Sequence, residues 1–235
     1  MVDFTQRSSE VEIMDTFSGT TNELETILQD INRVNKLLGG YSITLDAVFE
    51  LLEKEIKESY TILDMGCAEG TMLRKLAEEA KKRNVSLKLI GVDFNEQGLQ
   101  LAKQYSADYP EISYLNTDIL SADFSGWDVD VVMTTLTLHH FSDEGVIKFV
   151  NRFVDIAKLG VVINDLERSP VAYYLFKAFS FFFIKTKIAK KDGLLSIRRA
   201  FKKEELQHFA TQVTNASHII KWKWAFRYVW ILKKK

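Results

Sequence analysis

A carboxylate and a glycine turn raise the first chemical question. In LDMGCAEGTM, residues 63–72, Asp64 closes an apolar run, and Gly66, Ala68 and Gly70 follow at every second position. Glycine at such a turn lets backbone N–H groups come close to a ligand. A dinucleotide-binding turn reads G-x-G-x-x-G and aims a helix N-terminus at a pyrophosphate. Here those positions hold Gly66, Ala68 and Thr71, so only the first is glycine. A carboxylate two residues ahead of the turn repels a pyrophosphate and suits a cation, such as an ammonium or sulfonium group.

These residues need elements to position them. YTILDMG (60–66) reads as a strand stopping in the turn, and TMLRKLAEEAKKR (71–83) as the helix that leaves it. Alternation then repeats. LKLIGVDF (87–94), ISYLNTD (112–118), the start of WDVDVVMTTLTLHHF (127–141) and LGVVINDLE (159–167) read as strands. NEQGLQLAKQYSADY (95–109) and DEGVIKFVNRFVDIAK (143–158) read as helices. Such alternation predicts a parallel sheet with helices on both faces and right-handed crossovers. After a helix at 201–211, HIIKWKWAF and YVWILKK (218–234) leave no room for a crossover and predict an antiparallel hairpin. Ahead of the first strand, helices are expected over 22–38, ended by Gly39-Gly40, and over 45–59. The expected fold class is α/β: a doubly wound, mostly parallel seven-stranded sheet with a C-terminal hairpin. Residues 1–44 are expected to form a helical cap, and 45–235 the main domain, with a lid insertion at about 169–200.

Composition narrows the classes. The 235 residues carry 31 basic and 32 acidic side chains, so no global charge draws the chain to nucleic acid. KWKW (221–224) places lysines on one strand face and tryptophans on the other, a solvated face and a core face rather than a base-stacking platform. Cys67 is the single cysteine, which fits a reducing compartment. MVDFTQRSSEVEIMD has acidic residues and no apolar stretch of signal-peptide type, so a cytoplasmic location is expected.

With the glycine turn, Asp93 at 27 residues after Gly66, NTDIL, TTLTLHHF and the closing hairpin in this order, the chain resembles the class I S-adenosylmethionine-dependent methyltransferases over about 45–235. That resemblance implies S-adenosylmethionine as cofactor. It implies that Asp64, Gly66, Cys67, Ala68 and Gly70 surround the methionine part. Asp93 and Phe94 would meet the ribose, Asp118 and Ile119 the adenine, and Thr135 the cofactor at the end of the fourth strand. Asp93 can equally cap the helix that follows, and Asp118 can equally close an Asx turn.

The acceptor side is read from residue chemistry. A phenol with a pKa of about 10 lies about three units, ~4 kcal/mol, from its anion at neutral pH. A base within reach offsets that cost. His140, with His139 behind it, follows the fourth strand and has a side chain suited to the task. Asp165 and Arg168 in NDLERS, Arg198 and Arg199 in SIRRAF, Arg33, and the aromatics Tyr173 and Tyr174 are candidate acceptor contacts. The aromatic run at 173–183 with lysines at 185–191 suits an apolar lid and a peripheral membrane contact. No metal is expected, because the fourth strand ends in histidines where catechol-type enzymes carry a carboxylate. INDLERSPVAYY with SIRRAF is similar to a bacterial methyltransferase subgroup acting on phenolic polyketide or quinol-type acceptors. A small, apolar acceptor and O-methylation are therefore expected. A tRNA or protein acceptor, a non-catalytic cofactor-binding subunit and a homodimer remain open alternatives.

Overall fold

Apolar runs broken at regular intervals by glycine turns and amphipathic stretches leave few ways to bury both faces of each strand. The computed structural model, which describes residues 2–119, 122–124 and 126–235, resolves them as one seven-stranded sheet in the order β3-β2-β1-β4-β5-β7-β6. The strands are β1 (Tyr60–Met65), β2 (Leu87–Asp93), β3 (Ile112–Asn116), β4 (Val129–Thr135), β5 (Ala157–Leu166), β6 (Ala216–Lys223) and β7 (Arg227–Lys234). The first five are parallel; β7 runs antiparallel to both β5 and β6. The expected sheet and its terminal hairpin are both present.

Eight helices accompany the sheet among the described residues: α1 (Thr21–Leu37), α2 (Gly40–Leu52), α3 (Thr71–Arg83), α4 (Glu96–Tyr105), α5 (Asp143–Ile156), α6 (Pro170–Phe183), α7 (Lys187–Arg199) and α8 (Lys203–Thr211). One sheet face packs on α5 and α8 through Phe149, Phe153, Leu206 and Phe209. The other packs on α2 and α3 through Val48, Leu51, Leu73 and Leu76. Strand order reverses between β1 and β4, which opens a crevice at their carboxyl ends.

The second helix departs from expectation. It starts at Gly40, directly after Gly39 in a left-handed conformation, and stops at Leu52 instead of continuing to 59. Beyond Leu52 the chain is polar, and its one apolar side chain, Ile56, is 97% exposed, so it has no face to bury. Tyr60 closes this end by donating its hydroxyl to the Glu55 carbonyl at 2.6 Å.

The segment after β5 forms the helix pair α6 and α7. Asp30 of α1, buried, accepts from the backbone N–H of Lys185 at 2.9 Å and of Thr186 at 2.7 Å, tying the helix pair to α1. Ser8, Arg7 and Glu10 hold the N-terminal strand of chain against α7: Ser8 donates from its backbone to the Arg198 carbonyl, and Arg198 pairs with Glu10.

Candidate cofactor and acceptor site

The glycine turn sits at the end of β1. Gly66 and Cys67 donate their N–H groups to the Val92 carbonyl at 2.8 and 3.1 Å, which fastens the turn to β2. Gly66 has φ +81°, and a Cβ there would lie 2.6 Å from Thr137 Oγ1. Gly70 has φ +74°, and a Cβ would collide with the Tyr114 hydroxyl. Both positions therefore require glycine. Cys67 is buried against Gly91, and burial followed by the nearby Asp64 carboxylate pushes its thiol well above the usual range. Its place is packing, not nucleophilic chemistry.

Asp64 is 2% exposed, and its Oδ1 has no hydrogen-bond partner. Burial, then repulsion from Asp93 and Glu69, raises its pKa to about 8. A buried acidic oxygen facing a cavity with no partner is suited to a cationic ligand. Asp93, at the end of β2, accepts from Ala68 N and Asn95 N, each at 2.9 Å, so it braces the glycine turn while keeping lone pairs for a ligand. Its burial raises its pKa. Asp93, Phe94, Asp118 and Ile119 line a cavity of about 390 Å³. Asp64, Cys67 and Thr135 line a larger one of about 570 Å³, and Gly66, Ala68 and His140 border both. Gly70 lines neither; it shapes the turn.

The β4–α5 turn carries the two histidines, which also line the larger cavity. His139 is 2% exposed; its Nδ1 lies 2.6 Å from Asp165 Oδ1, and its Nε2 lies 3.5 Å from Glu12 Oε1. Burial alone would lower the His139 pKa, but Asp165 and Glu12 outweigh it and raise it to about 9. His140 is partly exposed; its Nδ1 lies 2.8 Å from Asp15 Oδ1 and its Nε2 3.9 Å from Glu12 Oε2. Glu12, His139 and His140 present donor atoms all within 4.8 Å of one another, a set able to hold a metal ion. Glu12 lies 127 residues ahead of His139, and no local pattern in the sequence marks it.

The comparisons with known proteins bear on this geometry. Residues 62–160 match the family model of a methyltransferase domain. The chain is similar to a carboxy-S-adenosyl-L-methionine synthase of Campylobacter hominis, 34% identical over 88 residues, which is 37% of this chain and 36% of that protein. It is similar to a 2-phytyl-1,4-naphtoquinone methyltransferase of Thermosynechococcus vestitus, 32% identical over 71 residues, 30% of each chain. The matches thus span about a third of the length of these curated relatives. In fold it is similar to the plantazolicin methyltransferase BpumL in complex with SAH, with TM-score 0.72, 15% identity and 91% of each chain covered. Magnesium protoporphyrin IX methyltransferase from Synechocystis PCC 6803 superposes with TM-score 0.56, 13% identity and 83% of this chain and 82% of that chain covered. The fold is the class I, S-adenosylmethionine-dependent methyltransferase fold.

The expected cofactor residues line the two adjoining cavities or shape the glycine turn, but several expected acceptor contacts lie elsewhere. Arg33 points away from the cavity to Asp30 and the Phe183 carbonyl, because it lies on the outer side of α1. Arg168 is buried in an ion pair with Glu205 and also donates to the Ala200 carbonyl, so it anchors α8. Arg198 pairs with Glu10, and Arg199 donates to the carbonyls of His139 and His140, holding the histidine turn from behind. Tyr173 packs on Phe4, and Tyr174 is 54% exposed; Ala172, Leu175, Phe176 and Phe179 line the cavity from α6 instead. Asp165 touches the cavity only through His139. The aromatic run at 173–183 meets the cavity through Phe176 and Phe179 and not through Tyr173 or Tyr174.

Glu69, Trp224 and Arg227 are among the lining residues outside the sequence expectation. Glu69, buried in the glycine turn, accepts from Asn32 Nδ2 at 2.7 Å. Trp224 comes from the β6–β7 turn and Arg227 from the start of β7. Arg227 is 2% exposed, donates from Nη2 to Asn35 Oδ1 at 2.7 Å, and has no partner at Nε or Nη1. Burial lowers its pKa to about 10.

Proposed function

We propose that this protein is an S-adenosylmethionine-dependent O-methyltransferase for a small, largely apolar acceptor bearing an acidic oxygen, of phenolic or quinol type. The observation that carries this reading is the 570 Å³ cavity, which is lined both by Asp64 and the glycine turn and by the Glu12–His139–His140 cluster. Its remaining wall is mostly aliphatic and aromatic, including Ile31, Val34, Leu38, Phe176, Phe179 and Ile184. Arg227, with two buried nitrogens facing no partner, supports an anionic group on the ligand. A quinone methyltransferase among the similar sequences supports the same acceptor class.

The cofactor supplies an activated methyl group. Around it, Asp64 would face the cationic methionine end, Asp93 and Phe94 the ribose, and Asp118 and Ile119 the adenine. Displacement at the methyl carbon needs in-line alignment and exclusion of water. Phe176 and Phe179 would cover the acceptor from α6, with residues 169–200 serving as a lid and 1–44 as a cap. His140 would take the acceptor proton at Nε2, and His139, held by Asp165 and Glu12, would set its orientation. Exposed Phe181 and Phe182 beside Lys185 and Lys187 favour contact with an anionic lipid surface, from which an apolar acceptor would enter.

The test is transfer of labelled methyl groups from S-adenosylmethionine into cell extract split into lipid, small polar, RNA and protein fractions. Label in the organic phase is the expected result. Label in RNA or protein would replace this acceptor class, and cofactor binding without transfer to any fraction would point to a non-catalytic subunit.

A further inference from the structure

The Glu12–His139–His140 cluster has a construction that a proton-accepting histidine alone does not require. Each imidazole has its own carboxylate beside Nδ1: His139 is hydrogen-bonded to Asp165 at 2.6 Å, and His140 Nδ1 lies 2.8 Å from Asp15 Oδ1 in an ion-pair contact without hydrogen-bond geometry. That turns both Nε2 atoms toward one carboxylate, Glu12, at 3.5 and 3.9 Å. Glu12 itself is 5% exposed and is steadied at Oε1 by the Ser196 hydroxyl at 3.0 Å. The backbone is fixed as well. Arg7 donates to the His139 carbonyl at 3.0 Å and Arg199 to the His140 carbonyl at 2.7 Å.

Within this frame His139 Nε2 is buried, sealed from water and without a hydrogen-bond partner. A polar atom in that condition costs free energy unless something sits against it. Imidazoles whose Nδ1–H is held by a carboxylate, with Nε2 left free, are the usual form of histidine metal ligands. Bonds of about 2.0–2.1 Å in a tetrahedral shell place neighbouring ligand atoms roughly 3.4 Å apart. The separations of 3.5 and 3.9 Å are close to that spacing.

We propose that Glu12, His139 and His140 form a binding site for a divalent transition-metal ion of the zinc class. Two imidazoles and one carboxylate suit zinc, manganese or iron(II) better than magnesium or calcium, which favour all-oxygen shells. Three protein ligands leave coordination positions open, and all three residues line the large cavity, so the open side faces the space assigned to the acceptor. An acceptor oxygen reaching that position would be bound as its anion, its proton passing to solvent water, with the ion acting as Lewis acid. The histidines then serve as ligands, and the ion takes over the task of stabilising the phenolate. This catalytic use rests on the methyl-transfer reading; the occupancy of the site does not.

Calorimetric titration of the chelator-treated full chain with zinc chloride, and separately with manganese and magnesium chloride, tests the site directly. One equivalent of zinc bound at micromolar affinity or tighter is expected, with magnesium at least a hundredfold weaker. Glu12→Gln and His140→Gln should each weaken zinc at least tenfold, and Asp165→Asn, which only orients His139, about ten- to a hundredfold. Cobalt(II) should give a visible absorption band that Glu12→Gln abolishes. Thermal melts of the ion-free variants separate lost ligation from lost folding, and His208→Gln on the surface of α8 should change nothing. Absence of stoichiometric binding, or binding that survives both Glu12→Gln and His140→Gln, overturns the proposal, and a proton shared between His139 and Glu12 then occupies the gap. SAH titration runs alongside. Failure of SAH binding with zinc binding retained would sink the methyl-transfer reading and leave the metal site standing.

Discussion

At the scale of single residues, the site is governed by what burial does to charge. Asp64 is fully buried and its carboxyl is raised to about 8, above the ordinary value of 3.8. A carboxyl with a raised native pKa holds its proton longer when folded than when unfolded. Its contribution to stability is therefore fully present below pH 3.8 and is lost as pH rises toward 8. A cationic ligand reverses the preference and expels that proton. Titrations of SAH at pH 7 in phosphate and in Tris should therefore give apparent enthalpies that differ by release of a fraction of a proton, and Asp64→Asn should erase the difference. Equal enthalpies in both buffers for the native protein would remove Asp64 from the ammonium. Asp93→Ala should weaken SAH by roughly 10- to 100-fold, the value of hydrogen bonds to a charged group; unchanged affinity would displace the ribose assignment. For Arg227 the prediction separates two ends of one cavity. Arg227→Met should raise the acceptor KM about tenfold or more while SAH affinity stays within about twofold.

At the scale of elements, α1 and the α6–α7 pair behave as a roof joined at few points. Asp30 accepts two backbone N–H groups at the joint between α6 and α7. Asp30→Ala leaves both without their partner and should cost about 1–3 kcal/mol in denaturant unfolding. On the outer face of α6, Phe181 and Phe182 are 72% and 76% exposed. Sedimentation with vesicles rich in anionic phospholipid should be lost in a Phe181→Ser, Phe182→Ser double variant without a change in SAH affinity; equal sedimentation of both proteins would dismiss the membrane contact. The aromatic run on α6 was legible as an apolar helix from composition alone. Which aromatics face inward was not, because nearly every position of the helix is apolar and no polar stripe reveals the buried side. Phe176 and Phe179 turned inward, while Tyr173 and Tyr174 did not.

At the scale of the whole molecule, the order of the strands brings distant segments to one crevice. The N-terminal stretch lies across it, with Arg7 bridging to Asp143 at 2.6 Å and Glu12 reaching the histidine turn. Removing residues 1–15 should leave the sheet folded, as judged by circular dichroism, and should leave zinc binding and methyl transfer absent. The cap reading is wrong if transfer persists. Histidines 139 and 140 were visible as chemistry from their place after β4. Their partners were not, since Asp15, Glu12 and Asp165 come from an irregular terminal segment and another strand.

The sequence by itself determined the sheet, the hairpin and the glycine turn with its strand-end carboxylates, because these rest on local patterns: period-two and helical apolar spacing, glycines with φ above zero, and carboxylates at strand ends. Tertiary structure alone decided the acceptor end. Arg33, Arg168, Arg198 and Arg199 look alike in sequence, yet each spends its guanidinium on a carboxylate or carbonyl that only the fold brings near. Arg227 goes unsatisfied at two nitrogens for the same reason: at the start of β7 it is buried against Gly40 of α2, and no acceptor among the described residues lies within reach of Nε or Nη1. Long polar side chains take their role from what lies across space, and a one-dimensional pattern does not carry that distance.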